Sequence, residues 1–481
     1  MFRYLLCGLL ACCSVTAFPK ENVWVIGGGP SPEHSQAQIE FNVNWVISSL
    51  KTLIPNAPVH VFYANGKQND VSVTEWRHPI DGKTPMQPMA RVFNELFENG
   101  LTYRQKHVSG VEGSTQADTL IPTLRHGLAS LHPNDRALII YNGHGLADNK
   151  DAAGNTFRLW RDTRFTARQF EKLLGSADPH VPVRFVLTQC YAGGFERAIH
   201  PEAKDVLTLT PGQRCGFFAV SKDKEAEGCS PSVNVGDYRD YTTYFFAALT
   251  GHTRLGKPIE GQADLNHDGV VTPYEAHLYT LAYAKNSDIP QSTSELFLDR
   301  WQPWYLRWLD AGDLPKNVYG QLARSLAVRS GLPETGHDMI KKLDSRRDHL
   351  QKQITNLQKE KSALKDKIQK IQKQIRLDLA YKWPAVLHPY TADYARFLST
   401  NLDSAQNFII KHPHYQELVK AQDRKDNIGL DILHVRREIA QLDKILRLRA
   451  LARKLDQFEH FAGSRVKSNY SRLLKCEQLP M

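Results

Sequence analysis

Ala137-Leu138-Ile139-Ile140-Tyr141, running directly into Asn142-Gly143-His144-Gly145, is the stretch on which the fold turns. Five residues almost without polar side chains read as a strand covered on both faces, as in a parallel sheet between helical layers. A second such run, Val183-Arg184-Phe185-Val186-Leu187, leads straight into Thr188-Gln189-Cys190-Tyr191-Ala192-Gly193-Gly194. Working outward, strands are expected at 23–26, 59–63 and 215–221. Helices are expected near 89–97, 118–131 and 166–174, the last opening on a Thr166 cap. Ile39, Val43, Val46, Ile47 and Leu50 recur at roughly helical spacing after the first strand. Strands alternating with helices predict an α/β three-layer sandwich with a mainly parallel sheet. Functional residues of such sheets gather beyond the carboxyl ends of the strands. If the two apolar strands are neighbours, His144 and Cys190 meet at one rim.

Cysteine attacks carbonyls as its thiolate and needs an exposed site with a proton-handling neighbour. A turn after a buried strand gives exposure. The small residues after Cys190 would let backbone N–H groups approach a developing oxyanion. His144 lies between Gly143 and Gly145, and an imidazole titrates near neutral pH and can hand a proton to a leaving amine. A lone Cys at a strand end is more often a small buried hydrophobe, and a lone His near a turn is more often structural. The joint pattern of strand, His-Gly, helix, strand and Gln-Cys is far rarer.

Tyr141-Asn142-Gly143-His144-Gly145 and Thr188-Gln189-Cys190-Tyr191-Ala192-Gly193-Gly194 resemble the two catalytic motifs of the caspase–legumain–gingipain superfamily of cysteine peptidases. Gln189 before the cysteine is like the caspase version. His34-Ser35-Gln36-Ala37 looks like the legumain branch. The resemblance covers residues 20–300 and implies a caspase-like sandwich cleaving peptide or protein substrates. By it Cys190 is the nucleophile, His144 the proton donor or carbonyl polariser, and the N–H groups of Gly145 and Cys190 the oxyanion hole. It also makes His34, Gln189 and Ser221 substrate-binding, Ser221 within a pocket wall at 218–222. Legumains carry Arg-His where His34-Ser35 stands, so their Asn preference does not carry over. Asp223, Glu225 and Glu227 would favour a basic residue at the cleavage site, or form an exposed mixed-charge loop. Two rival readings stay open: an inactive caspase-like scaffold recruiting partners, and a ligase or transpeptidase using the same acyl-enzyme.

Asp264-Leu265-Asn266-His267-Asp268-Gly269-Val270-Val271-Thr272-Pro273-Tyr274-Glu275 fits the twelve-position calcium loop. Asp264, Asn266, Asp268, the carbonyl of Val270, Thr272 and Glu275 supply the expected oxygens for a structural Ca2+. The alternative is an Asx-rich turn capping the next helix. No organic cofactor is expected. Gly27-Gly28-Gly29 lacks the third glycine of a dinucleotide loop, and Pro30 and Pro32 would spoil the helix start.

With 481 residues the chain has room for two or three domains. Residues 1–17 read as a signal peptide, with Arg3, a short apolar core and Val15-Thr16-Ala17 before the cut. Leu9-Leu10-Ala11-Cys12 offers a lipoprotein alternative in which lipidated Cys12 tethers the protein to a membrane. The protein is therefore read as exported, periplasmic or secreted. Cys7, Cys12 and Cys13 fall in this segment, leaving Cys190, Cys215, Cys229 and Cys476. Cys215 and Cys229 could close a short loop, though sequence cannot fix connectivity. The peptidase-like domain is placed at 18–315, a helical coiled-coil domain at 330–465 and a tail at 466–481. Ile340, Leu343, Leu350, Ile354, Leu357, Leu364, Ile368, Ile371 and Ile375 follow heptad spacing, interrupted by Arg347 and Lys361. Ile428, Ile432, Val435, Ile439, Leu442 and Leu446 repeat it. An antiparallel hairpin is preferred, and a dimer or partner-binding coiled coil is the rival. The net charge of +10 sits largely on this solvated helical region, so nucleic acid is set aside. Trp301, Trp304, Tyr305 and Trp308 are expected to form interdomain core.

Overall fold

The computed structural model describes residues 20–76, 86–94, 101–200, 207–308 and 313–481. The leader at 1–17, with Cys12 and its lipoprotein alternative, lies outside the described residues. None of the described helices is long and apolar enough to cross a membrane.

Eleven strands form in chain order: β1 (Glu21–Gly28), β2 (Val59–Tyr63), β3 (Val71–Trp76), β4 (Leu101–Gln105), β5 (Val111–Gly113), β6 (Arg136–Leu146), β7 (Thr156–Arg158), β8 (Arg164–Thr166), β9 (Val183–Leu187), β10 (Arg214–Phe218) and β11 (Gln291–Ser292). The central sheet runs β11-β10-β9-β6-β1-β2-β5. Its strands pair in parallel except for the short β10–β11 edge. β7 and β8 extend the end of β6 as an antiparallel arm, and β3–β4 is a separate ribbon.

Helices α1 (Ala37–Leu53), α2 (Gln87–Phe93), α3 (Ala117–Ala129), α4 (Ala167–Leu174), α5 (Tyr241–Thr250), α6 (Pro273–Tyr283) and α7 (Thr293–Trp301) accompany the sheet. Side chains alternate across a strand, so each face collects its own core. Val23, Val25, Leu138 and Ile140 pack with Val43, Val46 and Leu50 of α1 and Phe245 of α5. Trp24, Ile26, Ile139 and Phe185 pack with Leu124 of α3 and Phe170 of α4 on the other face. The expected α/β sandwich with a mainly parallel sheet is present. Thr166 caps α4 in a reciprocal box with Gln169, as its position predicts.

After α8 (Val318–Arg329) come α9 (His337–Lys382), two short helices α10 (Ala392–Thr400) and α11 (Leu402–Lys411), then α12 (Tyr415–Phe461) and α13 (Ser464–Glu477). α9 and α12 lie antiparallel: Arg346–Glu438, Glu360–Arg424 and Lys367–Glu417 pair in descending order along α12. Leu343, Leu350, Ile354, Ile428, Ile432 and Leu442 are buried, so the apolar seam closes within one chain.

Two boundaries differ from expectation. Leu343 and Leu350 of α9 and Leu448 and Leu451 of α12 share one apolar core with the sheet face, so this region of the helices continues the sandwich. The tail expected at 466–481 is the helix α13, bonded to β10 through a Cys215–Cys476 disulfide. Cys215 therefore does not pair with Cys229, which stays free. The reason is topological: β10 is internal to the sheet and α13 docks on it, a contact no local spacing reveals. The Glu477 carboxylate accepts from Thr293 Oγ1, Ser294 N–H and Ser294 Oγ at the start of α7. Of the expected aromatic cluster, Trp301 is buried against Phe458, but Trp304 and Tyr305 are exposed. They lie in the short 3-10 turn Trp304–Trp308 and are not core, and the Trp308 side chain lies outside the described residues.

The disulfide closes a loop spanning 261 positions, which removes much conformational freedom from the unfolded chain. Cys476→Ser is expected to lower stability by about 4 kcal/mol, read by denaturant unfolding. An unchanged unfolding midpoint would show that the bond does not form.

Candidate active site

β6 and β9 are adjacent and parallel, in register from Ala137–Val183 to Tyr141–Leu187. Their continuations bring the His144 and Cys190 turns to the same rim. The fit there is close. A Cβ on Gly145 would lie 2.2 Å from the Cys190 carbonyl oxygen, so only glycine lets β6 pass the Cys190 turn undisturbed. Tyr191, directly after the cysteine, is held in the left-handed region at φ 61°.

The imidazole of His144 is fixed by the segment after β1. Its Nε2 lies 2.8 Å from the His34 carbonyl and 2.9 Å from Gln36 Oε1. Both partners are acceptors, so Nε2 carries the proton and Nδ1 is the basic nitrogen. Nδ1 faces Cys229 Sγ at 3.7 Å. Burial holds the ring down to about pKa 4, against the favourable contact with the His34 carbonyl. His34 therefore contributes its backbone, while its ring bonds Ser31 and stands edge-on to His144.

Main chain lies against the Cys190 sulfur, and the residue stays partly exposed. Ala226 N–H donates to Cys190 Sγ at 3.3 Å, and the thiol reaches back to the Ala226 carbonyl at 3.8 Å. Burial pushes the thiol up to about 11, with Glu225 and Asp288 adding to the rise. At neutral pH the resting group is a thiol.

Ala226 belongs to a strap, residues 222–232, laid along the rim. Tyr191 N–H donates to the Lys224 carbonyl (2.7 Å). Ser230 exchanges two bonds with Gln38, and Trp76 N–H donates to the Pro231 carbonyl (2.7 Å). Glu227 N–H donates to Asp288, whose carboxylate also receives Tyr241 N–H. The Glu227 carboxylate is gripped by Arg437 of α12 through contacts of 2.6 and 3.0 Å. Lys444 of α12 is buried close by, bonded to the Ala284 carbonyl and Asn286, and burial lowers it to about 7. The helical region thus braces the strap from outside.

The remaining expected residues divide. Ser221 stands at the root of the strap and donates to Asp223 at 2.7 Å. Gln189 is 1% exposed, and its amide atoms have no hydrogen-bond partner among the described residues. Gly193 and Gly194 serve packing, since Cβ atoms there would strike Lys222 N and Asn155 Nδ2. Glu225 and Glu227 are split, the first near Tyr191 and the second committed to Arg437. Cys229, Gln36 and Arg437 were not expected at the site. No sequence signal pointed to the first, whose nearness to Cys215 suggested a bond between the two.

The 264–275 loop has oxygen chemistry suited to a hard cation, with its groups turned to the backbone. Asp264 accepts from His267 and Gly269 N–H, and Asp268 from Val270 N–H. Glu275 accepts from Leu265 and Thr272 N–H, and Thr272 caps α6. Asn266 bonds Asp268, and Val270 is exposed. Among the described residues no three His, Cys, Asp or Glu side chains stand together to hold a metal.

The fold and rim define an α/β protein whose His144 and Cys190 turns meet beyond adjacent parallel strands. No protein-family model and no curated protein matches the sequence. Among solved structures, protein GSU0716 from Geobacter sulfurreducens is similar at a TM-score of 0.35 and 11% identity, over 57% of this chain and 92% of that one. A likeness that faint defines neither family nor activity.

Between pH 6.5 and about 4 the unfolded chain takes a proton that the buried His144 ring refuses. Its contribution to stability is therefore full above 6.5 and is lost as pH falls through this window. Ring resonances of His144 followed by NMR should titrate near 4. A midpoint at 6.5 would contradict the buried neutral ring.

Proposed function

We propose that this chain is a cysteine endopeptidase of the caspase–legumain kind, with Cys190 as nucleophile and His144 as proton donor or carbonyl polariser. One observation carries the reading: Gly145, next to the imidazole, packs on the carbonyl of Cys190 at the shared end of β6 and β9. A peptide carbonyl seated there would meet the Cys190 sulfur, with the Gly145 and Cys190 N–H groups as the proposed oxyanion donors. Cys190 adds to the carbonyl and the amine leaves with a proton. Water then cleaves the thioester and restores the thiol. An amine in place of water would give ligation by the same route.

The Ala226 main chain on the sulfur makes the resting site latent. Substrate entry requires the strap to leave Cys190, which breaks the Glu227–Arg437 pair and lowers the thiol toward the usual cysteine range as water arrives. The covered sulfur also favours one rival, an inactive scaffold whose helices bind partners. The two differ in one respect: a latent peptidase has an open form.

An electrophilic peptide probe should label the wild type and not Cys190→Ala. Labelling that persists in Cys190→Ala would remove the proposed nucleophile. Arg437→Ala removes a half-buried, charge-assisted contact that favours the closed strap by roughly 1.5–3 kcal/mol, so labelling should quicken about tenfold or more. Equal rates in both proteins would favour the scaffold.

Calcium at 264–275 is a separate proposal, resting on the donor set of Asp264, Asn266, Asp268, the Val270 carbonyl, Thr272 and Glu275. It requires Glu275 to turn from its helix-capping bonds toward the ion. Added calcium should raise the melting temperature, and Asp264→Ala should abolish the shift. A calcium-independent melting curve would dismiss the ion.

A further inference from the structure

The imidazole expected to serve Cys190 presents its basic nitrogen to another thiol. Cys229 Sγ lies 3.7 Å from His144 Nδ1. The same strap touches Cys190 Sγ through the Ala226 amide, three residues earlier. Cys190 and Cys229 are the free thiols of the described residues, both partly exposed, while Cys215 and Cys476 are already paired. Cys190 lies near enough to disfavour ionisation of the Cys229 thiol, after the larger effect of burial. Gly228, before Cys229, has φ +128°, a conformation that a residue with a side chain rarely adopts.

We infer that Cys190 and Cys229 form a reversible redox pair, Cys190 reacting with a small peroxide and Cys229 resolving the product as a disulfide. A peroxide is small enough to reach a sulfur that the strap shields from a peptide. Cys190 sheds its proton as its sulfur attacks one peroxide oxygen, the O–O bond breaks, and the other oxygen leaves as water or alcohol carrying that proton. Cys190 is left as the sulfenic acid. His144 Nδ1 takes the Cys229 proton, and the Cys229 thiolate attacks the Cys190 sulfur. The S–S bond forms and the sulfenic hydroxyl departs as water with that proton. Two electrons pass from the two thiols to one peroxide. An external dithiol reverses the change. The loss of peptidase activity in the oxidised form rests on the reading of Cys190 given above, but the disulfide itself does not.

The test uses the full chain and hydrogen peroxide, read by mass spectrometry of non-reduced digests and by labelling of Cys190 with the electrophilic probe. In the wild type a Cys190–Cys229 cross-linked peptide should appear as labelling disappears, and both should reverse with dithiothreitol. The buried Cys215–Cys476 bond should survive this mild reduction. In Cys229→Ser, peroxide should still abolish labelling, but dithiothreitol should restore much less of it, because the sulfenic acid oxidises further. Absence of the cross-linked peptide, or equal recovery in wild type and Cys229→Ser, overturns the inference. A reversible cross-link in a protein that hydrolyses no peptide would support the redox pair while removing the peptidase reading.

Discussion

The ladder between β6 and β9 sets the position of everything at the carboxyl rim. Parallel pairing gives the two strands a common direction, so the residues that overrun them emerge on the same side. Tyr141 and Leu187 are still paired, and within three residues of each the chain reaches His144 and Cys190. The contact beyond the ladder leaves no room for a side chain at position 145. The imidazole is aimed by the loop after β1, through the His34 carbonyl and Gln36, because β1 is the other neighbour of β6.

The second constraint is the attachment of the helical region. Its two long helices do not hang from the sandwich. Arg447 of α12, itself partly exposed, bonds Glu295, which also bonds His277, and the last two are fully buried. Buried charges are tolerated only when paired, and here the pairing joins α12 to α6 and α7. Cys476 and Glu477 fix α13 to β10 and α7. With α12 held in this way, Arg437 is delivered to Glu227 and the strap is pressed on the thiol. The contact on the Cys190 thiol thus depends on the helical region as well as on the sheet.

Much of the sandwich was legible because its strands are continuous apolar runs and Thr166 announces a helix start. Heptad spacing likewise marked both halves of the helical pair. The free cysteines were not legible. Cys215 and Cys229 are close in sequence, and proximity suggested a bond between them, yet β10 carries Cys215 into the sheet interior beside α13 while the strap carries Cys229 to His144. The burial of Gln189 was likewise not legible, because it depends on what packs over the turn beyond β9.

By itself the sequence determined the periodic elements: apolar strands, amphipathic helices, a heptad seam, and a histidine and a cysteine each following a strand end. These depend on side-chain spacing along one segment. Tertiary structure alone decided which thiol meets the imidazole, which cysteine bonds Cys476, and that Ala226 covers Cys190. Those outcomes are contacts between segments up to 261 positions apart, and their energies depend on burial and charge pairing that exist only once the segments have met.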